Sequence, residues 1–295
     1  TDLAALARAQ ADLVNRVQDW LRRHRRGRVV LMVPTEYAGI ACEPYHAALA
    51  PALARGLPVA WTGPGVFADA ITGAMARARA ACLPGHPVVL WDNFPVNDTV
   101  VSNSLHLGPL TGRDAALPAA LHGYLLNPMT QPHASLVALG TAAAYLRRPD
   151  RYDAEAAWHT ILAELGGGGS GLGVLAAQVR SSALDLDDAR ELAAAVAGVL
   201  TTFPGPDWTA AVDALAAEEA RQASVPGDLA AHLGGTPLAA EIAPWVDELA
   251  AHVARGLDAV TLLRALKPSL TDLITTSGAG MLRVQGGTGG GEGGR

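Results

Sequence analysis

The stretch Trp91-Asp92-Asn93-Phe94-Pro95-Val96-Asn97-Asp98 follows directly on the apolar run Pro87-Val88-Val89-Leu90. A short apolar run of this kind predicts a strand that is buried on both faces of a parallel sheet. The polar and aromatic residues then stand at its carboxyl end, where parallel α/β barrels place their binding and catalytic groups. Asn, Pro and Asp are also ordinary turn residues, so one such strand end would indicate no more than a loop.

Three further runs repeat the pattern of an apolar strand followed by polar or aromatic residues. They are Arg28-Val29-Val30-Leu31-Met32-Val33 before Pro34-Thr35-Glu36-Tyr37, Leu57-Pro58-Val59-Ala60 before Trp61-Thr62-Gly63, and Leu121-His122-Gly123-Tyr124-Leu125-Leu126 before Asn127-Pro128-Met129. Helical patterns separate the runs at 45–55, at 66–82 and before residue 121, and another follows at 132–147. Strands that alternate with helices predict βαβ units. Four strand ends of similar chemistry predict one binding face built from four loops.

The beginning of the sequence indicates that this sheet is part of a larger barrel. Thr1 or Asp2 can cap an immediate helix. Apolar residues recur through that helix at helical spacing, at Leu3, Leu6, Leu13, Val17, Trp20 and Leu21. A helix that leads into a buried strand is what remains when a (β/α)₈ barrel is divided after its fourth strand. We therefore expect an α/β fold whose strands are numbers five to eight of a TIM barrel, and we expect Thr1 not to be the natural start.

Composition excludes several classes of function. The chain has 295 residues, 50% of them apolar, and a net charge of −6. It lacks the basic stripe of nucleic-acid-binding proteins, and no apolar run reaches the ~18–20 residues that span a bilayer. Cys42 and Cys82 are isolated, which indicates neither a zinc site nor a disulfide framework. We expect no nucleic-acid partner, no membrane segment, no metal and no cofactor, while secretion and a cytoplasmic location both stay open.

The second half of the chain changes in character. A helix is predicted to end near residue 165, and the glycine-rich segment 166–173 has the composition of a linker. We assign 1–165 to the half barrel and 174–280 to a helical domain, and we expect the glycine-rich tail 281–295 to be disordered. Within the helical domain, helices are predicted at 174–180, 188–202, 208–223, 238–256 and 258–266.

The strand-end motifs resemble, in their order and spacing, those of glycoside hydrolase family 84, which contains O-GlcNAcases and bacterial β-N-acetylglucosaminidases, some of them named hyaluronidases. They are Pro34-Thr35-Glu36-Tyr37, Trp61-Thr62-Gly63, Trp91-Asp92-Asn93 with Pro95-Val96-Asn97-Asp98, Leu107-Gly108-Pro109 and Asn127-Pro128-Met129. The resemblance covers 1–160 and implies a (β/α)₈ barrel. It also implies retaining hydrolysis of terminal β-linked N-acetylglucosamine on glycoproteins or glycans, in which the 2-acetamido oxygen of the sugar attacks the anomeric carbon.

The resemblance also implies which residues bind the sugar. Asp98 and Asn127 would accept hydrogen bonds from its hydroxyl groups, and Asn93 would contact the acetamido or reacting region. Trp91 would form the wall against which the N-acetyl group packs. Each residue type also has a structural interpretation: Asp98 as an Asx turn, Asn127 as a pre-proline turn residue, and Trp91 as a core tryptophan.

Two residues from the earlier strands complete the implied site. Tyr37 would place its hydroxyl group near the anomeric centre or the oxazoline, which makes it a candidate for an assisting role, and Thr62 would line the same pocket. Thr62 is equally well explained as a structural residue. Two positions depart from the family pattern, because Thr99 follows Asp98 where many members have tyrosine, and Leu136 follows Ser135 where a lysine is common.

The catalytic pair of the family, two adjacent aspartates, follows the fourth strand of the barrel. In this sequence Asp187-Asp188 is the one adjacent aspartate pair, and its place before a predicted helix favours a capping role. Glu218-Glu219 lies within a helical pattern and is expected on a solvated face. We therefore expect the acid pair upstream of Thr1, no certain catalytic residue in this chain, and an inactive fragment. The alternatives are a non-catalytic N-acetylglucosamine-binding module or pseudoenzyme, and an unrelated barrel with coincidental motifs.

Overall fold

The structure is a computed structural model that describes residues 2–25, 27–98, 104–181, 188–203 and 205–285, with side chains described as far as residue 265. These residues form ten α-helices and three strands. In chain order they are α1 (Leu3–His24), α2 (Pro44–Ala52), β1 (Val59–Trp61), α3 (Gly73–Cys82), β2 (Val88–Asp92), β3 (Gly123–Leu126), α4 (Leu136–Arg147), α5 (Ala154–Leu165), α6 (Gly171–Gln178), α7 (Arg190–Thr202), α8 (Trp208–Ala223), α9 (Val225–Leu233) and α10 (Pro237–Gln285). Two 3-10 turns, Pro118–Ala120 and Pro149–Arg151, lie between them.

The sheet is parallel, with strand order β1-β2-β3, so the predicted α/β class is confirmed. Val59 of β1 pairs with Val88 of β2, and Leu90 of β2 pairs with Tyr124 of β3. Because all three strands run in one direction, their carboxyl ends lie along the same edge of the sheet.

The predicted first strand at 28–33 is reduced to a single bridge. Only Met32 pairs with Val59 of β1, through hydrogen bonds that include Ala60 N to Met32 O at 2.8 Å. The backbone before it bonds to a helix side chain instead, because Val30 N donates to Gln18 Oε1 of α1 at 2.9 Å. The segment still extends the sheet beside β1, but the side-chain amide of α1 replaces a regular ladder.

Helices pack against the sheet through a core of small and large apolar side chains. The cluster contains Ala7 and Ala11 of α1, Leu49 of α2, Trp61 of β1 and Leu90 of β2, all of them fully buried. The face of α1 that is buried therefore centres on alanines rather than on the larger residues of the predicted stripe. Leu13, Val17 and Trp20 of that stripe are about half exposed or more.

Two predicted helices begin later than their patterns indicate. The helix predicted at 66–82 begins at Gly73, because the hydroxyl group of Thr72 caps it by accepting a bond from Met75 N at 3.3 Å. The helix predicted at 132–147 begins at Leu136. In both cases the residues between strand and helix form a loop on the carboxyl side of the sheet.

The chain divides into two compact units. Unit 1 comprises Thr1–Asp188 and Gly227–Trp245, and unit 2 comprises Ala189–Pro226 and Val246–Arg295. The core of unit 2 is formed by helix side chains, among them Val199, Trp208 and Val260. Among the described residues, no helix combines the length and the apolar content needed to cross a membrane.

The glycine-rich segment predicted as a linker, 166–173, lies within unit 1. Gly166 follows the last residue of α5 and its amide caps that helix, while Gly171 begins α6. The amide of Gly171 donates to Asp228 Oδ2 of α9 at 2.5 Å, so a side chain from a distant part of the sequence holds this segment. Of the predicted glycine-rich tail, 281–285 belong to α10, and the rest lies outside the described residues.

Candidate functional site

A cavity of about 210 Å³ lies at the carboxyl ends of the parallel strands. Its walls come from the segment after Met32, from β1, from β2 and from the loop after β3. The lining residues are Val33, Tyr37, Ala60, Thr62, Trp91, Asn93 and Asn127. The structure thus brings together five of the six residues that the sequence predicts to bind the sugar, and the sixth, Asp98, does not line this cavity.

The two asparagines of the cavity are held in a defined orientation. Asn127 Nδ2 donates to Asn93 Oδ1 at 3.0 Å, and Asn93 Nδ2 donates to the carbonyl oxygen of Val66 at 2.8 Å. In the described part of the chain, the carboxamide oxygen of Asn127 has no donor. It can therefore accept a hydrogen bond from a ligand hydroxyl group without the loss of an internal bond.

Thr62 and Trp91 form part of the wall of the cavity. Thr62 is buried, and its hydroxyl group donates to the carbonyl oxygen of Gly65 at 2.9 Å, which leaves its lone pairs available to a ligand. Trp91 belongs to β2 and is partly buried, with one part of its side chain in the cavity lining. An aromatic wall beside hydroxyl and amide groups suits a ligand that has both an apolar and a polar face.

A buried ionic network lies on the other face of the end of β2. Asp92 stands between Trp91 and Asn93 and therefore points to the opposite side of the sheet. Arg113 donates to both carboxylate oxygens of Asp92, through Nε at 2.9 Å and Nη2 at 2.6 Å, and the hydroxyl group of Tyr124 donates at 2.5 Å. The network fixes the end of β2 from behind and thereby orients the two cavity residues on either side of Asp92.

Burial and the charge of Asp92 together shift the pKa values of Arg113 and Tyr124 in this network. Burial disfavours the charged form of Arg113, but the hydrogen bonds and charge of Asp92 outweigh it, so the pKa of Arg113 is raised. Burial and then the Asp92 charge raise the pKa of Tyr124 far above its usual value. Tyr124 is therefore a neutral hydrogen-bond donor at every ordinary pH. Sequence patterns did not predict this network, and the signal that could have indicated it was an aspartate as the last residue of an apolar strand.

The loop before Asp98 is tied to the loop after Asn127. Asn97 is buried, and its Nδ2 donates to Ser104 O and Gln131 Oε1, each at 2.8 Å. Its Oδ1 accepts from Thr130 N at 3.1 Å. Asp98 itself is exposed, and the residues directly after it, including Thr99, lie outside the described part of the chain. The neighbour of Asp98, rather than Asp98, therefore has the structural role in this loop.

The loop that carries Tyr37 is bound to the end of β1 by its backbone. Thr62 N donates to Tyr37 O at 3.0 Å, and Gly39 N donates to Gly63 O at 2.9 Å. The indole of Trp61 adds a bond from Nε1 to Gly39 O at 2.8 Å. Gly39 has a φ of +88°, a value that favours glycine at this turn.

A disulfide joins the same loop to α3, which corrects the expectation of two isolated cysteines. Cys42 and Cys82 have Cα atoms 5.1 Å apart and are separated by 40 residues in sequence. The spacing in sequence could not predict this pair, because it depends on the loop after Tyr37 folding back against the end of α3.

The acidic pairs of the sequence lie in structural environments. Asp188 caps a turn by accepting from Ser181 N at 2.5 Å, whereas Asp187 lies outside the described residues. Glu218 accepts from Arg221 at 2.8 Å, and Glu219 is buried, so the prediction of a solvated face for this pair was wrong. Burial raises the pKa of Glu219. Within the described ranges, no group of three or more His, Cys, Asp and Glu side chains could hold a metal ion.

Comparison with known proteins points to one family. A family model described as beta-N-acetylglucosaminidase matches residues 1–185. The Protein O-GlcNAcases of Rattus norvegicus and Mus musculus are each 31% identical over 150 residues, which are 49% of this chain and 16% of each relative. The match thus spans less than a fifth of the length of these relatives.

Solved structures share the fold. A mutant of the O-GlcNAc hydrolase of Thermobaculum terrenum superimposes with a TM-score of 0.81 at 28% identity, over 88% of this chain and 56% of that one. The structure of CpGH84B superimposes with a TM-score of 0.75 over 95% of this chain and 51% of that one. At 21% identity, this second likeness supports the fold alone.

Proposed function

Because the chain belongs to the beta-N-acetylglucosaminidase family, a family of glycoside hydrolases, we propose that it supplies the sugar-binding side of a site that cleaves terminal β-linked N-acetylglucosamine. One observation carries this proposal: five residues that the sequence predicts to bind the sugar line one cavity at the strand ends. The similar proteins are O-GlcNAcases and an O-GlcNAc hydrolase by name, which supports the same substrate class.

The chemistry of the cavity suits a single N-acetylated sugar. Asn127 offers a fixed carbonyl oxygen to a hydroxyl group, and the second N–H of the Asn93 amide, the one not bonded to Val66, would donate to the acetamido region. Trp91 provides an apolar face for the acetyl methyl group and the sugar ring. Thr62 and Tyr37 add hydroxyl groups on the remaining sides, with Tyr37 nearest to the proposed anomeric position. Each of these residues would contact a different group of the sugar, so together they would select one epimer.

Asp98 is proposed as a further acceptor for sugar hydroxyl groups. Its carboxylate is exposed and has no hydrogen-bond partner in the part of the chain that the structure describes. Asn97 holds the adjacent backbone to the loop that contains Asn127, so the two proposed hydroxyl acceptors lie on linked loops. A carboxylate that accepts from two hydroxyl groups makes charge-assisted, geometry-specific contacts.

We propose substrate-assisted hydrolysis with retention of configuration. The 2-acetamido oxygen would attack the anomeric carbon as the bond from that carbon to the leaving oxygen breaks. One carboxylate would accept the acetamido N–H proton to give an oxazoline, and a second carboxylic acid would protonate the leaving oxygen. The second group would then take a proton from water, which adds to the anomeric carbon and opens the oxazoline as the first group returns its proton to nitrogen. Among the described residues no carboxylic acid lines the cavity, and Asp92 on the opposite face is held in its ion pair with Arg113. We propose that the acid pair lies upstream of Thr1.

An acid pair on a further segment is consistent with the proposed half barrel. The sheet has β3 at one edge and the segment of Met32 at the other. Large apolar side chains are exposed on the elements next to these edges, among them Leu125 and Leu136 beside the β3 edge and Trp20 and Val29 beside the Met32 edge. Exposed parallel edges flanked by apolar surface favour a sheet that is continued by further strands. We place the barrel part at 1–165, followed by the helical region.

The test compares two polypeptides in hydrolysis of an aryl β-N-acetylglucosaminide. One is this chain, and the other is extended upstream through the preceding strand of the barrel. We expect activity only in the longer polypeptide, and we expect Asn127→Ala to lower it. Turnover by this chain alone would contradict the placement of the acid pair. If neither polypeptide hydrolyses the substrate while N-acetylglucosamine still binds, the protein is the non-catalytic binding module instead.

A further inference from the structure

Arg79 of α3 is a fully buried cation that does not line the cavity. Its relative exposure is 1%, and its guanidinium points into the loop that follows Tyr37. Nη2 donates to the carbonyl oxygen of Ala38 at 2.7 Å and also to that of Gly39, while Nε donates to Gly39 O at 3.1 Å. Nη1 contacts Nε2 of His46. Three of its four contacts thus reach backbone atoms within two residues of Tyr37.

The partners of Arg79 differ from those of most buried cations. In the described residues, no carboxylate lies within ion-pair distance of its guanidinium, and burial lowers its pKa while the charges of Glu36 and Glu43 act in the opposite direction. Burial of a charge without a paired countercharge is costly. The hydrogen bonds that offset this cost go to carbonyl oxygens of one short turn, and Nη1 also contacts His46.

Those hydrogen bonds complete a closed frame around Tyr37. On one side, the backbone of Tyr37 and Gly39 is bonded to Thr62 and Gly63 at the end of β1. On the other side, Arg79 holds the carbonyl groups of the same turn. Gly39 has a φ of +88°, and a Cβ added at this position would lie 3.6 Å from Nη2 of Arg79, so the turn and the guanidinium are in close contact. Tyr37 itself is one of the residues that line the cavity.

We propose that Arg79 is the positioning residue that holds Tyr37 at the reacting end of the sugar. This inference rests on the proposed function, because it gives Tyr37 a task in glycoside hydrolysis. Arg79 does not touch the substrate itself. It acts by fixing the peptide groups on the C-terminal side of Tyr37, so that the hydroxyl group of that residue is presented at one place in the cavity.

The kinetic test is a double-mutant cycle in the longer, active polypeptide. Arg79→Met should lower kcat/KM by up to about 100-fold, the cost expected when a reacting group is misplaced by an ångström. In the background of Tyr37→Phe, the same substitution should have almost no further effect. Arg79→Lys keeps the charge and should recover part of the activity. Arg77→Met, at an exposed position of the same helix, is the matched control and should retain full activity.

A merely structural role predicts a different cycle. Arg79→Met would then reduce activity by the same factor with and without the Tyr37 hydroxyl group, and that additivity would overturn the proposal. If Arg79→Met does not fold, the comparison of Arg79→Lys in the two backgrounds decides the same question. Full activity of Arg79→Met would also overturn it.

Hydrogen exchange on this chain separates the inference from the proposed function. Arg79→Met should speed amide exchange at Gly39 and Thr62, the two donors of the frame, and leave the amides of β3 unchanged. Unchanged exchange at Gly39 and Thr62 would overturn the positioning role of Arg79. If the longer polypeptide proves inactive, the proposed function fails, while the exchange rates still decide whether Arg79 fixes the Tyr37 loop.

Discussion

Two buried arginines support the two sides of the cavity in different ways. Arg113, behind the end of β2, forms a two-point ion pair with Asp92 and also donates to the carbonyl oxygen of Ala68 at 2.9 Å. Arg79, beneath the Tyr37 loop, has carbonyl oxygens and a histidine as its partners. The countercharge raises the pKa of Arg113, whereas burial lowers that of Arg79.

The difference in partners indicates how firmly each arginine holds its side of the cavity in place. An ion pair in a low-dielectric interior is strongly unfavourable to break, because removal of one partner leaves an uncompensated charge. A cation held by carbonyl oxygens leaves neutral groups behind when it is removed, at a smaller cost. We therefore expect the β2 side, with Trp91 and Asn93, to be the rigid wall. The Tyr37 side should be the part that responds first to changes in conditions.

Replacement of Arg113 should have the largest effect. Arg113→Met is expected to lower the free energy of unfolding by about 3–5 kcal/mol, because it leaves the Asp92 carboxylate buried and unpaired. Denaturant unfolding of this chain measures the loss. The double variant Asp92→Asn with Arg113→Met removes that charge and should be more stable than Arg113→Met alone. A double variant that is less stable still would contradict the role of the ion pair.

Loss of the disulfide should follow in size. Removal of the Cys42–Cys82 bond, which closes a loop with a separation of 40 residues, should cost about 2–4 kcal/mol. The measurement is unfolding with and without a reductant, and the variant Cys42→Ser with Cys82→Ser should be insensitive to reductant. Amide exchange should rise near Tyr37 and stay constant near Asp92. An equal rise at both places would remove the distinction between the two sides.

Replacement of Arg79 should cost less than replacement of Arg113. Arg79→Met is expected to lower the free energy of unfolding by about 1–3 kcal/mol, the penalty for carbonyl groups left without donors. Arg77→Met on the exposed face of α3 serves as the control, with a change close to zero. The comparison fails if Arg79→Met destabilises the chain as much as Arg113→Met does.

Acidification should have the smallest effect per group, on the Tyr37 side through His46 and at a separate place in the fold through His106. Burial lowers the pKa of His46, with the Arg79 charge in the same direction, and burial also lowers that of His106. The unfolded chain therefore binds more protons than the folded chain as the pH falls below ~6.5, so stability should decrease there by at most about 1.4 kcal/mol per pH unit for each histidine.

The slope with pH identifies the group responsible. Denaturant unfolding of His46→Gln between neutral and mildly acidic pH should give a shallower dependence than that of the unsubstituted chain. His159→Gln, at an exposed position, is the matched control. If the free energy of unfolding of His46→Gln changes with pH as steeply as that of the unsubstituted chain, a group other than His46 is responsible.

The residues at the strand ends could be predicted because their chemistry conflicts with their position. Trp91, Asn93 and Asn127 follow apolar strands directly, and parallel strands bring their carboxyl ends together. Whatever depends on contacts between distant parts of the chain could not be predicted in this way. Arg79 looks like one of several arginines in an alanine-rich helix, and only the folded chain shows that it is buried.

Strand lengths and loop positions escaped prediction for related reasons. The segment before Val33 has a strand-like sequence, but a glutamine of α1 takes its backbone bonds. The position of Asp98 outside the cavity depends on Asn97, whose amide bonds across to another loop. A local pattern contains no information about either of these long-range hydrogen bonds.

The most direct measurement is a titration of this chain with N-acetylglucosamine, followed by NMR chemical shifts, with glucose as the matched control. We predict shifts at the backbone of Thr62 and at the side-chain amides of Asn93 and Asn127, which Asn127→Ala abolishes and glucose does not reproduce. Shifts confined to other parts of the chain, or equal shifts with both sugars, would contradict the assignment of this cavity to N-acetylglucosamine.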